Sequence, residues 1–426
     1  MTRTEWVVIG LLAAGCARQE PAAPGSRAGP AEGAAEAARS TVAEPATHLY
    51  VWAGDLDRAD FDFLAVLDVA PESPRYGEVI ATVPAGARGT MPHHTEHRMP
   101  ASGHLFANGF MAGTTFVFDL EDPAAPRLLT SFGGLDGYTH PHSYERLPDG
   151  TVLATFQGRG PGNEDPGGLV EVDEVGRVVR SASAADPGFP RAILRPYSLA
   201  IVPALDRVVT TSYDMGEDMG FRGGRRGRTR HVQVWRLSDL RVIETIGLPP
   251  GPSGYEGEQP GESRVLADGA TVLVSTFACG LYRIVGLDGE EPRAEFVHSF
   301  EGGGCAVPVV VGRYWVEPVP SAHAVVSLDV SDPSAPREVS RVTLGSRSFP
   351  HWLALDPGGF RIVIADRGDG EPRLYLVKID PETGELSIDE TFRDAGSDRA
   401  GVSFSGRRWP HGDPGPAKPH GAVFGP

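Results

Sequence analysis

One stretch constrains the fold more than any other: Pro141-His142-Ser143-Tyr144-Glu145-Arg146-Leu147-Pro148-Asp149-Gly150, followed by Thr151-Val152-Leu153-Ala154-Thr155. A polar residue, a Pro-Asp-Gly turn six residues later and then an apolar run read as the start of a tight hairpin. The same register recurs: His94 precedes Pro100, Tyr197 precedes Pro203, Glu262 precedes Asp268 and His351 precedes Pro357, each turn leading into another apolar run. Cys305 fits with its turn one residue late at Gly312, and His420 fits as a copy cut short at Pro426. Seven copies result.

A second repeat lies between them, an apolar strand ending in an Asp-rich or Pro-rich turn. It begins at Phe63, Phe116, Leu169, Val232, Leu281, Val325 and Leu374, at intervals of 53, 53, 63, 49, 44 and 49 residues. Periods of this size, built from short strands, are the mark of β-propeller blades. The expected fold is therefore all-β, a seven-bladed β-propeller over residues 48–426. The 54 glycines and 38 prolines suit turns between short strands better than long helices. His48-Leu-Tyr-Val-Trp has no upstream hairpin partner and His420-Gly-Ala-Val-Phe no downstream one. Pairing the N- and C-terminal strands in one blade would close the ring and remove both edges.

Ahead of the repeat, residues 1–16 carry a short charged start, an apolar run and small residues before Cys16, the pattern of an export signal too short to anchor in a bilayer. Ala13-Ala14-Gly15-Cys16 resembles the lipobox of bacterial lipoproteins, with Leu12 one position further from the cysteine than usual. The resemblance implies lipid on Cys16 and a place in the periplasm or cell envelope, with membrane contact only through that anchor. Residues 17–47, rich in Ala, Pro, Gly and Glu, cannot bury a core and read as a tether. A net charge of −17 repels phosphate backbones and argues against nucleic acid as a partner. The Arg-rich run Arg222 to Arg230 accounts for the long 63-residue interval as a solvated insertion.

Innermost strands of a propeller line its axial channel, so equivalent positions form a ring. That ring would carry His420, His94, His142, Tyr197, Glu262, Cys305 and His351. With 13 histidines in 426 residues, chance would place far fewer than one among seven positions. Converging neutral imidazoles form a transition-metal site, and copper is favoured by affinity order. His94, His142, His351 and His420 are the expected ligands, with His93 and His140 as alternative ligands or as residues orienting a ligand ring. Glu262 is placed as a base, Tyr197 beside it, and Cys305 as a thiolate ligand or nucleophile; the competing reading joins Cys305 to Cys279 in a disulfide. His97 and His104 are expected at the surface, His231, His298 and His323 in structural roles, and His411 remains open between the two.

These residues resemble the selenium-binding protein and methanethiol oxidase family. Asp62-Phe-Leu-Ala-Val-Leu-Asp-Val-Ala-Pro-Glu-Ser-Pro-Arg-Tyr-Gly-Glu-Val-Ile with His93-His94 looks like the family's opening blade and paired-histidine motif. Pro141-His142-Ser143 resembles its second histidine motif, His231-Val-Gln-Val-Trp its fourth-blade strand, Val330-Ser-Asp-Pro-Ser-Ala-Pro-Arg its sixth-blade turn, and Gly415-Pro416-Ala417-Lys418-Pro419-His420 its C-terminal motif. The resemblance covers about residues 48–426. It implies a histidine-bound copper and oxidation of methanethiol, or a related small sulfur compound, by oxygen to formaldehyde, hydrogen sulfide and hydrogen peroxide. Carried over by motif, the ligands fall on His93, His94, His142 and His420. Departures are Glu96, His97 and Arg98 after the paired histidines, Glu145 in place of the second histidine of the middle motif, and the lack of an N-terminal-blade cysteine for selenium. The alternative is a non-catalytic propeller binding a metal or a protein at the envelope. On the lipoprotein reading, Cys16→Ala is expected to abolish incorporation of labelled palmitate and move the protein to the soluble fraction. Unchanged labelling would refute it.

Overall fold

The computed structural model describes residues 44–426 apart from 161–162, 193, 219–228 and 369–370. The leader, its Cys16, the tether up to residue 43 and most of the Arg-rich run lie outside the described residues. Described residues form six four-stranded antiparallel sheets, one five-stranded sheet and a small two-stranded ribbon. The seven larger sheets are the blades of a β-propeller. Ala417–Gly425 pairs with His48–Asp55 and is the innermost strand of the first blade, so the chain ends close the ring as their unpartnered sequences predict. Among the described residues no helix is long and apolar enough to cross a membrane.

Every blade buries alternate apolar side chains against its neighbours, while outermost strands such as Arg127–Phe132 and Arg337–Thr343 show the half-exposed pattern of an edge facing water. Ala46 and Thr47, read from sequence as tether, already belong to the fold: the Ala46 amide donates to Asp356 and the Thr47 amide to Gly425. Between the outer edge of the last blade and the closing strand, Trp409 packs on Phe63 and Phe404, and His411 is held against Thr82 of the first blade's outer strand. That contact gives His411 a structural role.

What positions the channel residues is a bulge near the start of six inner strands. In the second blade Pro92 pairs with Gly109 and Thr95 with Ala107, so His93 and His94 together face Asn108. The third and fourth repeat it: His142 and Ser143 face Thr155, and Tyr197 and Ser198 face Thr211. Gly261 and His351 are the extra residues in the fifth and seventh blades, and His420 and Gly421 oppose Trp52 in the first. Each bulge begins at a proline, which has no N–H to offer the ladder just where the ladder breaks.

Second-strand side chains take up the backbone groups that the bulge strands. Asn108 accepts the His94 amide at 2.6 Å and donates to the Pro141 carbonyl of the next blade at 2.7 Å. Thr155 accepts the Ser143 amide and donates to the Tyr197 carbonyl; Thr211 accepts the Ser198 amide and donates to the Gly261 carbonyl. One side chain thus satisfies two buried groups and stitches two blades. Asn108→Ala leaves both groups unpaired at zero exposure and is expected to cost about 3 kcal/mol. Urea unfolding of the variant beside Thr114→Ala, a half-exposed control, checks this.

Candidate metal centre

The bulge register corrects the six-residue ruler by one place in two blades. The residue after the proline is the equivalent position: His93, His142, Tyr197, Gly261, His351 and His420. His94 and Glu262 sit one step further along, level with Trp352 and Gly421. Because the bulge turns two consecutive side chains towards the axis, the second blade contributes both His93 and His94. Gly421 is needed where it stands, since a Cβ there would lie 2.7 Å from the His93 carbonyl oxygen.

Five imidazoles from four blades meet. Ring centroids are 4.0 Å apart for His93–His420, 4.1 Å for His94–His142, and 4.6 Å for both His93–His94 and His351–His420. They fall into two overlapping triads, His93/His351/His420 and His93/His94/His142, each with one nitrogen per ring within 4.8 Å of the others. All five are buried. His93 Nδ1, His94 Nε2, His142 Nε2 and both nitrogens of His351 and His420 are buried without a hydrogen-bond partner. A buried polar atom without a partner is costly, and a cation bound by these lone pairs would relieve the cost.

The protonation pattern suits that use. His142 Nδ1–H donates to the Tyr197 carbonyl oxygen at 2.8 Å, which fixes the tautomer and leaves Nε2 with its lone pair. His94 Nδ1 shares a hydrogen bond with Ser143 Oγ at 2.9 Å. Burial pushes His142 down to about 3. His93, His94, His351 and His420 are likewise held well below the usual imidazole range, first by burial and then by neighbouring positive groups.

Other expected site residues divide. Glu262 is fully buried with Oε1 unpartnered, 3.8 Å across the channel from His94 Nε2. Burial raises its pKa although Arg264 donates to Oε2 at 2.7 Å. The Tyr197 ring lies 3.8 Å from that of His142, and burial, then Glu262, pushes its phenol well up. Cys305 is not in the ring: it is bonded to Cys279, so it offers no thiolate and cannot act as ligand or nucleophile. His140 is outside both triads, its backbone at φ 57° and its Nδ1 3.0 Å from the Asn163 side-chain nitrogen. The reversed backbone turns it away from the ring that His142 joins.

Two histidines expected at the surface are partly enclosed. His97 stacks on Trp352 at 4.7 Å and meets Arg264 at 3.1 Å, while His104 pairs with Glu174 at 2.9 Å. His97 comes inward because the bulge shifts the strand's alternation by one residue. With Arg98, Glu145 and Arg264 it lines a cavity of about 1480 Å³ at one mouth of the channel. Burial lifts Glu145 to about 7. Sequence reasoning also missed Glu317, a fully buried acid on the sixth blade's second strand that accepts from Trp315 Nε1, and Arg367, just past Arg361–Asp366. Glu317 lies on a second strand and Arg367 just after one, which a search confined to inner strands does not reach.

No family model matches the chain. A methanethiol oxidase of Hyphomicrobium sp is 26% identical over 220 residues, 48% of this chain and 49% of that protein, so this match spans about half the relative's length. A methanethiol oxidase of Danio rerio is 23% identical over 433 residues, covering 83% of this chain and 90% of the relative. Among solved structures, a hypothetical selenium-binding protein from Sulfolobus tokodaii matches with a TM-score of 0.72 at 17% identity, over 90% of this chain and 94% of that one.

Two outcomes follow from the geometry. His93→Ala, which breaks both triads, is expected to abolish stoichiometric copper uptake in equilibrium dialysis, whereas His140→Ala leaves it intact. Separately, five imidazoles whose folded pKa values lie below the unfolded 6.5 bind fewer protons folded than unfolded. The imidazoles therefore contribute stability that is complete above about pH 6.5 and is lost progressively as the pH falls towards the folded values, while the raised carboxyls of Glu145 and Glu262 work in the opposite sense. The difference in urea midpoint between wild type and His351→Ala, followed from pH 7.5 to 4.5, isolates the imidazole part, and a difference that does not change with pH contradicts it.

Proposed function

The chain is similar in sequence and fold to the selenium-binding proteins and methanethiol oxidases, and on that premise we propose that it is a copper-dependent oxidase of methanethiol or a related small sulfur compound. The observation that carries this is the convergence of five buried imidazoles with uncommitted nitrogens. His93, His94, His142, His351 and His420 are the residues that would hold copper. Copper held there would supply the redox couple and the Lewis acidity that oxidation of a thiol by oxygen requires.

The protein's own groups account for the remaining needs. For methanethiol the balance is one thiol, one oxygen and one water giving formaldehyde, hydrogen sulfide and hydrogen peroxide. Glu262, raised by burial and placed beside His94, is suited to take the thiol proton. Arg264 keeps that carboxylate oriented through Oε2 and leaves Oε1 open. Phe110, Tyr197 and Trp352 surround the imidazoles with aromatic surface that suits a methyl group and limits water. The Cys279–Cys305 disulfide supports a location outside the reducing cytoplasm, in line with the leader read from residues 1–16.

Copper-loaded protein given methanethiol and oxygen is expected to release peroxide. Glu262→Gln should lower turnover by about 10²-fold or more while retaining copper. Protein that binds no copper, or a copper form that releases no peroxide with any small thiol, would refute the proposal.

A further inference from the structure

The cavity of about 1480 Å³ at the channel mouth has no occupant in the oxidase reading, and it is far larger than methanethiol requires. Its walls differ in character. The fourth to seventh blades present Leu199, Ile201, Val265, Val310 and Leu355, all from inner strands. The second and third present His97, Arg98, Glu145 and Arg146. Arg264 lines the cavity from the fifth blade and bonds Glu262 and His97, so this pair stands between the cavity and the acid beside the imidazoles.

Most charged groups in these walls already have partners. Arg146 holds Glu96 at 3.0 Å and Glu174 at 2.6 Å, Asp356 holds Arg361, and Arg264 donates to Glu262 and to the Pro308 carbonyl. Glu121, which follows a third strand, is exposed at the rim. Of the charges carried by inner strands and the turns after them, two remain. Among the described residues no hydrogen bond or ion pair holds the Glu145 carboxyl or the Arg98 guanidinium. The Glu96–Arg146 pair ties the second and third inner strands side by side, and Arg98 and Glu145 lie two residues and one residue from it. One unpaired acid and one unpaired base therefore share the polar side of a cavity whose other side is apolar. Burial lifts the Glu145 carboxyl to about 7 against the pull of Arg264 and Arg98, so its ionised form is short of positive partners.

We propose that this cavity is a binding site, separate from the metal centre, for a zwitterionic α-amino acid with an apolar side chain. Glu145 takes the ammonium, Arg98 takes the carboxylate through charge-assisted hydrogen bonds, and the leucine, isoleucine and valine wall takes the side chain. A simple anion would meet the repulsion of Glu145 and a simple amine that of Arg98, whereas a zwitterion satisfies both charges.

The test uses metal-free folded protein and L-norleucine, which has no sulfur to oxidise, so it depends on neither copper nor turnover. In isothermal titration calorimetry wild type is expected to bind norleucine saturably at one site. Hexanoate, which lacks the ammonium, and pentylamine, which lacks the carboxylate, are each expected to bind about tenfold or more weakly. E145Q and R98Q are each expected to lose about tenfold in norleucine affinity. Wild type without saturable norleucine binding, hexanoate or pentylamine binding as tightly as norleucine, or both variants indistinguishable from wild type, would overturn the proposal. The wild-type and analogue arms stand even where a variant fails to fold.

Discussion

A proline followed by an extra residue, set into the innermost strand, is the constraint on which the rest of this structure depends. The bulge breaks the ladder, turns side chains towards the axis and strands a backbone amide that the blade's second strand must satisfy. Asn108, Thr155 and Thr211 do so, and each reaches on to the next blade's inner strand. Channel residues are thereby fixed by the same bonds that hold neighbouring blades together. Loosening the stitch and misplacing the site are one event.

Burial then sets the chemistry. Imidazoles this deep in protein are held neutral, and His142 is committed through Nδ1 to a carbonyl, so its Nε2 carries a lone pair rather than a proton. Glu262 across the channel is raised by the same burial, with Arg264 preventing it from drifting out of line. A cluster of this kind is poorly stabilised as it stands, since so many polar atoms lack partners. A cation bound by those nitrogens would supply the missing partners.

Much of this was legible in the sequence because a propeller writes its architecture as a period. The seven blades follow from the repeat, the closing pair of end strands from their lack of hairpin partners, and four of the five convergent histidines from a turn register aligned on the histidines themselves. His93 could be named but not ranked above His94, because a count of residues to the next turn cannot see a bulge that adds one residue to a strand. The Pro-His pairs at Pro92, Pro141, Pro350 and Pro419 were the better ruler. His140 and His97 failed for related reasons: a reversed backbone turns the first away, and the bulge's shift of alternation brings the second in. Cys305 fitted the spacing loosely, and its pairing with Cys279 depends on a three-dimensional approach that one-dimensional spacing does not carry.

The central claim is that imidazoles from separate blades grip a single copper centre, and X-ray absorption at the copper edge tests it most directly. The account predicts a first shell of nitrogen with the outer-shell scattering of at least three imidazoles, reduced when His93 is replaced by alanine. A shell dominated by oxygen, or one unchanged by loss of His93, would contradict it.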